Sequence, residues 1–151
     1  RMIYLTIFII LLIEGFFSKN NPKSYNNIHD LIKRLDELNR HCKNFDNSLL
    51  KWFDNTFDTL STNIGTHGLK LSYEEIMNEL DVIMFHGKTV CQWLPIIKIL
   101  NGDLLCINLD DKKYSVNIFS TEDNYSKNKK VFDSVLNINK NTKIDSSVSY
   151  Y

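Results

Sequence analysis

The sequence is poor in glycine and lacks the glycine motifs that hold phosphate groups or expose a catalytic serine. Only five of its 151 residues are glycine, and none lies in a GxGxxG, P-loop or GxSxG pattern. The backbone amides of such loops approach a phosphate or shape the turn beneath a nucleophile. The sequence therefore gives no support for a nucleotide-binding loop or a serine-hydrolase site of these types.

Cysteine and histidine are also few, and their spacing predicts no metal or cofactor site. The three cysteines form no CxxC pair, and the odd number argues against a disulfide framework or a zinc knuckle. Two of them, Cys91 and Cys106, lie in apolar runs and are predicted to be buried, reduced thiols. The four histidines form neither HxH nor HExxH: His29, His41, His67 and His86.

The chain has no excess of charge of either sign, with 18 basic and 18 acidic residues. Nucleic-acid binding draws most of its affinity from lysine and arginine contacts to phosphates, which require a basic face. The cluster of Lys127, Lys129 and Lys130 has no interleaved aromatic residues and indicates a solvated run. Nucleic acid is therefore not an expected partner.

The N-terminal apolar run, MIYLTIFIILLI at residues 2–13, is too short for a membrane span of about 20 residues. Its length fits a secretory signal, although no small-x-small cleavage pattern follows it. A buried core element is the other interpretation, so a cytoplasmic location and a secreted or membrane-anchored one both stay open. The predicted organisation is an apolar segment, a linker, one folded domain and a polar tail that frays, at residues 1–17, 18–27, 28–139 and 140–151.

Apolar residues at helical spacing predict two amphipathic helices in the first half of the domain. The first covers residues 27–42, with Asn27 as its N-terminal cap. The second covers residues 47–60, and either Asn47 or Ser48 is expected to cap it.

A third helix is predicted after the turn at residues 63–68. Ser72 and Glu75 have the spacing of a capping box, in which the hydroxyl and the carboxylate each accept from a free backbone amide. Gly87 is the expected end of this helix.

The second half of the chain predicts an antiparallel meander followed by a short closing helix. Three runs are rich in β-branched and aromatic residues, at residues 90–99, 104–110 and 114–119. Asn101 and Gly102 form the strongest short hairpin signal between the first two runs. Residues 129–138 place their apolar side chains at helical spacing. The predicted fold class is therefore α+β, a mostly antiparallel sheet with helices packed against it.

The segment WLPI, followed closely by NGDLLCINLD, resembles the SUKH (Smi–Knr-like) superfamily. Members often carry a Trp-Leu-Pro segment, a Gly-Asp turn and an apolar strand with an acidic close. The matching residues are Trp93, Leu94, Pro95, Gly102, Asp103, Cys106, Leu109 and Asp110. The resemblance covers residues 27–139 and implies a SUKH-like α+β domain. We expect these residues to be structural, with Trp93 buried and Pro95 at an edge or strand start.

The resemblance implies a function in protein–protein binding without catalytic residues. Bacterial members of the superfamily are commonly immunity proteins that neutralise a cognate toxin, and fungal members regulate cell-wall synthesis. We therefore expect a non-enzymatic domain whose partner is a protein, such as a toxin domain. The alternatives are a secreted or membrane-tethered small protein and a cysteine-dependent enzyme, in which Cys91 would pair with His86.

Two acidic pairs are the candidate partner-binding residues: Asp110 with Asp111, and Glu122 with Asp123. They lie in predicted turns, where exposure and binding residues concentrate. Carboxylates there would complement a basic cleft on a toxin. Aspartate in turns also accepts backbone hydrogen bonds, and this structural role is the alternative.

Overall fold

The computed structural model describes residues 24–40, 44–87 and 92–151. The predictions for the apolar segment at residues 1–17, and those for His41, Cys42 and Cys91, lie outside these ranges.

A six-stranded antiparallel sheet, with its strands in chain order, forms the centre of the fold. The strands are β1 (Asn63–Ile64), β2 (Gly68–Lys70), β3 (Trp93–Ile99), β4 (Leu104–Asn108), β5 (Val116–Phe119) and β6 (Asn128–Phe132). All four residues from Leu104 to Ile107 are buried, and successive side chains in a strand point to opposite faces. Both faces of β4 are therefore covered. The predicted α+β fold with an antiparallel meander is confirmed.

Three α-helices in the described ranges accompany the sheet: α1 (Ile28–Glu37), α2 (Asn47–Asn55) and α3 (Tyr73–Phe85). Helix α3 lies between β2 and β3 in the chain and packs on β3, while α1 packs against α2 and α3. The predicted Asn27 cap of α1 is confirmed, since its side chain accepts from the Asp30 amide at 3.0 Å. The helix ends earlier than predicted, because Asn39 adopts a left-handed conformation (φ 57°).

Helix α2 differs from its prediction at both ends. Its cap is Asp46, whose carboxylate accepts from the Leu49 amide at 2.9 Å, so neither Asn47 nor Ser48 caps it. The predicted helix to residue 60 breaks after Asn55 into a 3-10 turn at Phe57–Thr59. The Lys70 ammonium group donates to the carbonyls of Phe57 and Leu60, at 3.0 and 2.6 Å. This contact satisfies carbonyls that a helix end leaves free.

Helix α3 follows its prediction closely. The capping box is complete: the Ser72 hydroxyl accepts from the Glu75 amide, and the Glu75 carboxylate accepts from the Ser72 amide. Gly87 follows the helix with φ +83°, a conformation that glycine adopts without steric cost.

The hairpin between β3 and β4 turns at the predicted position, with a different backbone geometry. The Gly102 amide donates to the Ile99 carbonyl at 2.8 Å, and the Ile99 amide donates to the Asp103 carbonyl at 2.8 Å. Only Gly102 of the predicted pair has a positive φ, at 94°. This arrangement is a four-residue turn followed by a glycine bulge, as in longer hairpin connections.

The closing helix predicted at residues 129–138 is wrong. Residues Asn128–Phe132 form strand β6 beside β5, and a short 3-10 turn follows at Val135–Asn137. The Val135 amide donates to the Tyr114 carbonyl at 2.7 Å, which fixes this turn on the β4–β5 loop. Pairing along β5 therefore outweighs the local helical spacing of the apolar side chains.

The tail from residue 140 onward was expected to fray, and this expectation is also wrong. Ile144 is fully buried and forms a parallel bridge with Gly65. The His67 amide donates to the Ile144 carbonyl at 3.0 Å. One buried isoleucine in a polar segment thus fixes the tail against the β1–β2 hairpin. The sequence had predicted only a turn where this hairpin lies.

Candidate functional site

The four candidate contact carboxylates lie in two loops at opposite ends of β5. Asp110 and Asp111 lie between β4 and β5, and Glu122 and Asp123 lie between β5 and β6. Because β5 has four residues, the loops are separated by about 10 Å or more at roughly 3.3 Å per residue. This distance exceeds the Debye length of about 8 Å at physiological salt. The two pairs therefore form separate charged patches.

The Asp110–Asp111 loop forms one wall of an open cleft, and the start of α2 forms the other wall. The cleft has a volume of about 660 Å³. It is lined by Asn44, Asp46, Leu109, Asp110, Asp111, Lys112 and Tyr114. Three carboxylates and one ammonium group give this lining a net charge of minus two. We refer to this seven-residue surface as the acidic cleft.

Hydrogen bonds between its two walls hold the acidic cleft in shape. The Asn44 side-chain amide donates to the Asp110 carboxylate at 2.9 Å. The buried Tyr114 donates its hydroxyl to the Asn44 carbonyl at 2.9 Å and accepts from the Asp46 amide at 3.4 Å. Residues 44–46 and the β4–β5 loop are thereby joined, although they are more than sixty positions apart in the chain.

Backbone amides stabilise the charged form of two carboxylates in the acidic cleft. Asp46 accepts from the Leu49 amide, and Asp111 accepts from the Lys113 amide at 3.1 Å. Hydrogen bonds to a charged carboxylate favour the charged form. These amides are the largest cause of the lowered pKa of each carboxyl group, below the usual 3.8. Both groups therefore stay charged to a lower pH than a free carboxyl group, and their hydrogen bonds orient them.

The other acidic pair lies beside the C-terminal tail. Glu122 is exposed and accepts a hydrogen bond from the Tyr151 hydroxyl, which raises the pKa of Tyr151. Asp123 is half-buried. The nearby Asp103 is buried and accepts from the amide and hydroxyl of Thr121, at 3.1 and 3.2 Å. This end of the sheet is thus occupied by contacts within the chain.

The residues that carry the family resemblance lie inside the fold. All but the half-buried Gly102 and the exposed Asp110 are buried: Trp93, Leu94, Pro95, Asp103, Cys106 and Leu109. The Trp93 ring packs edge-on against Phe119 with centroids 4.8 Å apart. Pro95 lies inside β3, opposite Cys106 and at the register shift between Pro95 and Ile97, an irregularity at which a sheet tolerates proline. The predicted burial of Trp93 is confirmed.

Cys106 is a buried thiol, and His86 lies at the end of α3. Burial raises the pKa of the Cys106 thiol well above its usual 9.0, so this thiol stays protonated and unreactive. His86 ends α3, and its ring lies 5.4 Å from that of Tyr125; its predicted partner Cys91 lies outside the described residues. Within the described ranges, no group of three or more potential ligands is placed to hold a metal ion.

Comparison with known proteins finds no matching family model, no matching curated protein and no matching solved structure. In the part of the chain that the structure describes, no helix is both long enough and apolar enough to cross a bilayer.

Sequence reasoning missed Asp46 as a member of the acidic cleft. Its position directly before the apolar stripe of α2 was a signal, since aspartate is among the preferred helix caps. Its proximity to Asp110 and Asp111 has no local signal, because it depends on the packing of α2 beside the β4–β5 loop.

Proposed function

We propose that this chain is a non-enzymatic protein-binding domain of the immunity type, which neutralises a cognate toxin by direct binding. The acidic cleft carries the proposal, because it brings Asp46, Asp110 and Asp111 together on one concave surface. The resemblance to the SUKH superfamily also supports a protein-binding function. Such a domain acts on a protein partner without a cofactor, and the location we propose for it is the cytoplasm.

The geometry of the acidic cleft suits a basic side chain of the partner. A carboxylate has about four acceptor sites, so Asp110 can accept from a guanidinium group while it keeps its bond to Asn44. Asp46 and Asp111 are already oriented by backbone amides, so little side-chain freedom is lost on binding. Charge complementarity to a basic toxin cleft would speed encounter and disfavour wrong partners.

The test first searches the genes beside this one for a toxin domain and then produces that domain in a host whose growth it arrests. Co-production of the wild-type chain is expected to restore growth. The double variant Asp110→Asn with Asp111→Asn should restore growth poorly, because it removes both negative charges. Asparagine keeps most of the hydrogen-bond acceptors, so the shape of the loop should be retained.

The matched control is Glu122→Gln with Asp123→Asn, which removes the same charge at the other end of β5. We expect this control to protect nearly as well as the wild type. Absence of protection by the wild-type chain would contradict the immunity function. Equal protection by both variants would instead remove the acidic cleft from the contact surface.

A further inference from the structure

Among the residues that the structure describes, strand β6 is an open edge of the sheet, whereas the opposite edge is covered. At β1, the parallel bridge between Gly65 and Ile144 brings the tail alongside the hairpin. At β6, no further strand pairs with the outer side among the described residues. The first three residues of β6 are exposed and the last two are half-buried. An unpaired edge offers backbone amides and carbonyls to another extended chain.

The backbone of β6 points alternate peptide groups away from β5. The Lys127 carbonyl accepts from the Ser120 amide at 3.4 Å, so Lys127 faces the sheet. In an antiparallel pair, residues that face the neighbour alternate with residues that face away. Asn128 and Lys130 therefore direct their amides and carbonyls outward. The register shift opposite Val116 confines regular pairing to this first part of the strand.

The side chains along this edge are basic. Lys127, Lys129 and Lys130 are all exposed. Lys130 has an ion pair with Asp133 at 3.3 Å, but both side chains are more than half exposed, so a partner can displace this contact at little cost. An antiparallel pair of two β6 strands would bring lysines of two copies together, and like charges on paired strands repel. The charge therefore disfavours a second copy of this chain.

We infer that the outer edge of β6 binds an extended, carboxylate-bearing segment of a partner protein as a seventh strand. Main-chain hydrogen bonds to Asn128 and Lys130 would supply the alignment, as in other cases of strand addition. Alternate glutamate or aspartate side chains of the segment would lie beside Lys127 and Lys129, which share one face of the strand. This edge selects the opposite charge from the acidic cleft, and its Lys130 lies close enough to Asp111 of the cleft to interact with it electrostatically.

The probe is a synthetic peptide of alternating threonine and glutamate. It is roughly eight residues long, so that it extends past both ends of the five-residue strand. On the nitrogen-15-labelled chain, its addition should shift the amide signals of Asn128 and Lys130 and slow their hydrogen exchange. A peptide with glutamine in place of glutamate should bind about tenfold more weakly, since exposed ion pairs each contribute modestly.

The variant Lys127→Gln with Lys129→Gln should weaken binding of the glutamate peptide to a similar degree. The matched control, Lys140→Gln with Lys143→Gln, changes two exposed lysines of the C-terminal tail, which lies at the opposite edge of the sheet, and should leave the affinity unchanged. Equal binding of both peptides, or shifts centred away from β6, would overturn the inference. Concentration-dependent protection of the same amides without peptide would also overturn it, because a second copy would then occupy the edge.

Discussion

Trp93 is the residue of the family-like motif whose structural role is easiest to measure. Its side chain is 9% exposed, and its ring packs edge-on against Phe119. Aromatic side chains of this size bury more apolar area than any other residue type. Trp93 lies at the start of β3 and Phe119 at the end of β5, so the contact between their rings joins the two strands.

Truncation of Trp93 is expected to lower the free energy of unfolding strongly. We predict a loss of about 3–5 kcal/mol for Trp93→Ala, the range for a core aromatic residue. The control Leu100→Ala truncates an apolar side chain that is 62% exposed and should cost about 0.5 kcal/mol or less. Urea denaturation of both variants measures this. An unchanged midpoint for Trp93→Ala would show that the ring is not part of the core.

Asp46 has two roles, since it caps α2 and adds a charge to the acidic cleft. Its pKa is lowered in the folded chain, mainly by the Leu49 amide. The folded state therefore binds fewer protons than the unfolded state at acid pH. The stability that the charge provides is present above the usual pKa of 3.8 and is lost as the pH falls through the folded-state pKa.

The two roles of Asp46 can be separated by pH. Asp46→Asn keeps a good cap and removes the charge, so we predict a loss of about 0.5 kcal/mol at pH 7, as expected for an exposed charge at a helix start. This difference from the wild type should disappear well below pH 3.8. Asp46→Ala removes the cap and should cost about 1 kcal/mol at pH 7. Urea denaturation at both pH values tests this, and a difference that grows in acid would contradict the assigned role.

At the scale of elements, sequence prediction succeeded where the decisive contacts are local. The capping box of Ser72 and Glu75 lies within four residues, and the turn at Gly102 lies within one hairpin. Strand β6 was missed because its partner, β5, determines its conformation, while its own apolar spacing imitates a helix. The short strands β1 and β2 have too few residues to show an alternating pattern.

The packing of the tail is the clearest case of an element that the sequence hides. Residues after 140 are mostly polar, and only Ile144 is fully buried. The contact depends on Gly65, because a Cβ atom there would lie 2.4 Å from the backbone nitrogen of Ile144. Gly65 also has φ +70°, so an alanine would be strained in addition to the clash.

A pair of glycine substitutions separates the clash from the strain. Gly87 has φ +83°, and a Cβ atom added there would have no neighbouring atom within 4 Å, so Gly87→Ala should cost about 1 kcal/mol through strain alone. Gly65→Ala should cost about 2–4 kcal/mol, since the tail must also shift. Thermal denaturation measures both losses, and the methyl signals of Ile144 should move in Gly65→Ala. Equal losses in the two variants would mean that the tail does not pack tightly against the hairpin.

At the scale of the whole molecule, a net charge of zero conceals a separation of charge. Carboxylates gather in the acidic cleft at one end of β5, and lysines lie along the β6 edge. Composition alone could exclude a strongly basic protein but could not locate these surfaces. Asp110 and Asp111 were predicted as contact residues because they lie in a predicted turn. Their proximity to Asp46 depends on the tertiary fold and could not be predicted. Glu122 and Asp123 were predicted by the same reasoning; the structure places Glu122 beside the tail, and the role of this pair as partner contacts stays a prediction.

We propose that the carboxylates of the acidic cleft guide a basic partner protein to this domain. The direct measurement is the association rate constant with the toxin domain by stopped flow, across a range of salt concentrations. It compares the wild type, Asp110→Asn with Asp111→Asn, Glu122→Gln with Asp123→Asn, and the variant that combines all four changes.

We predict that the cleft variant associates about tenfold more slowly at low salt and loses most of the salt dependence, because electrostatic steering is screened by ions. The Glu122→Gln with Asp123→Asn variant should stay near the wild type, and the four-residue variant should resemble the cleft variant with the fold intact by circular dichroism. Unchanged association kinetics of the cleft variant at low salt would contradict the claim.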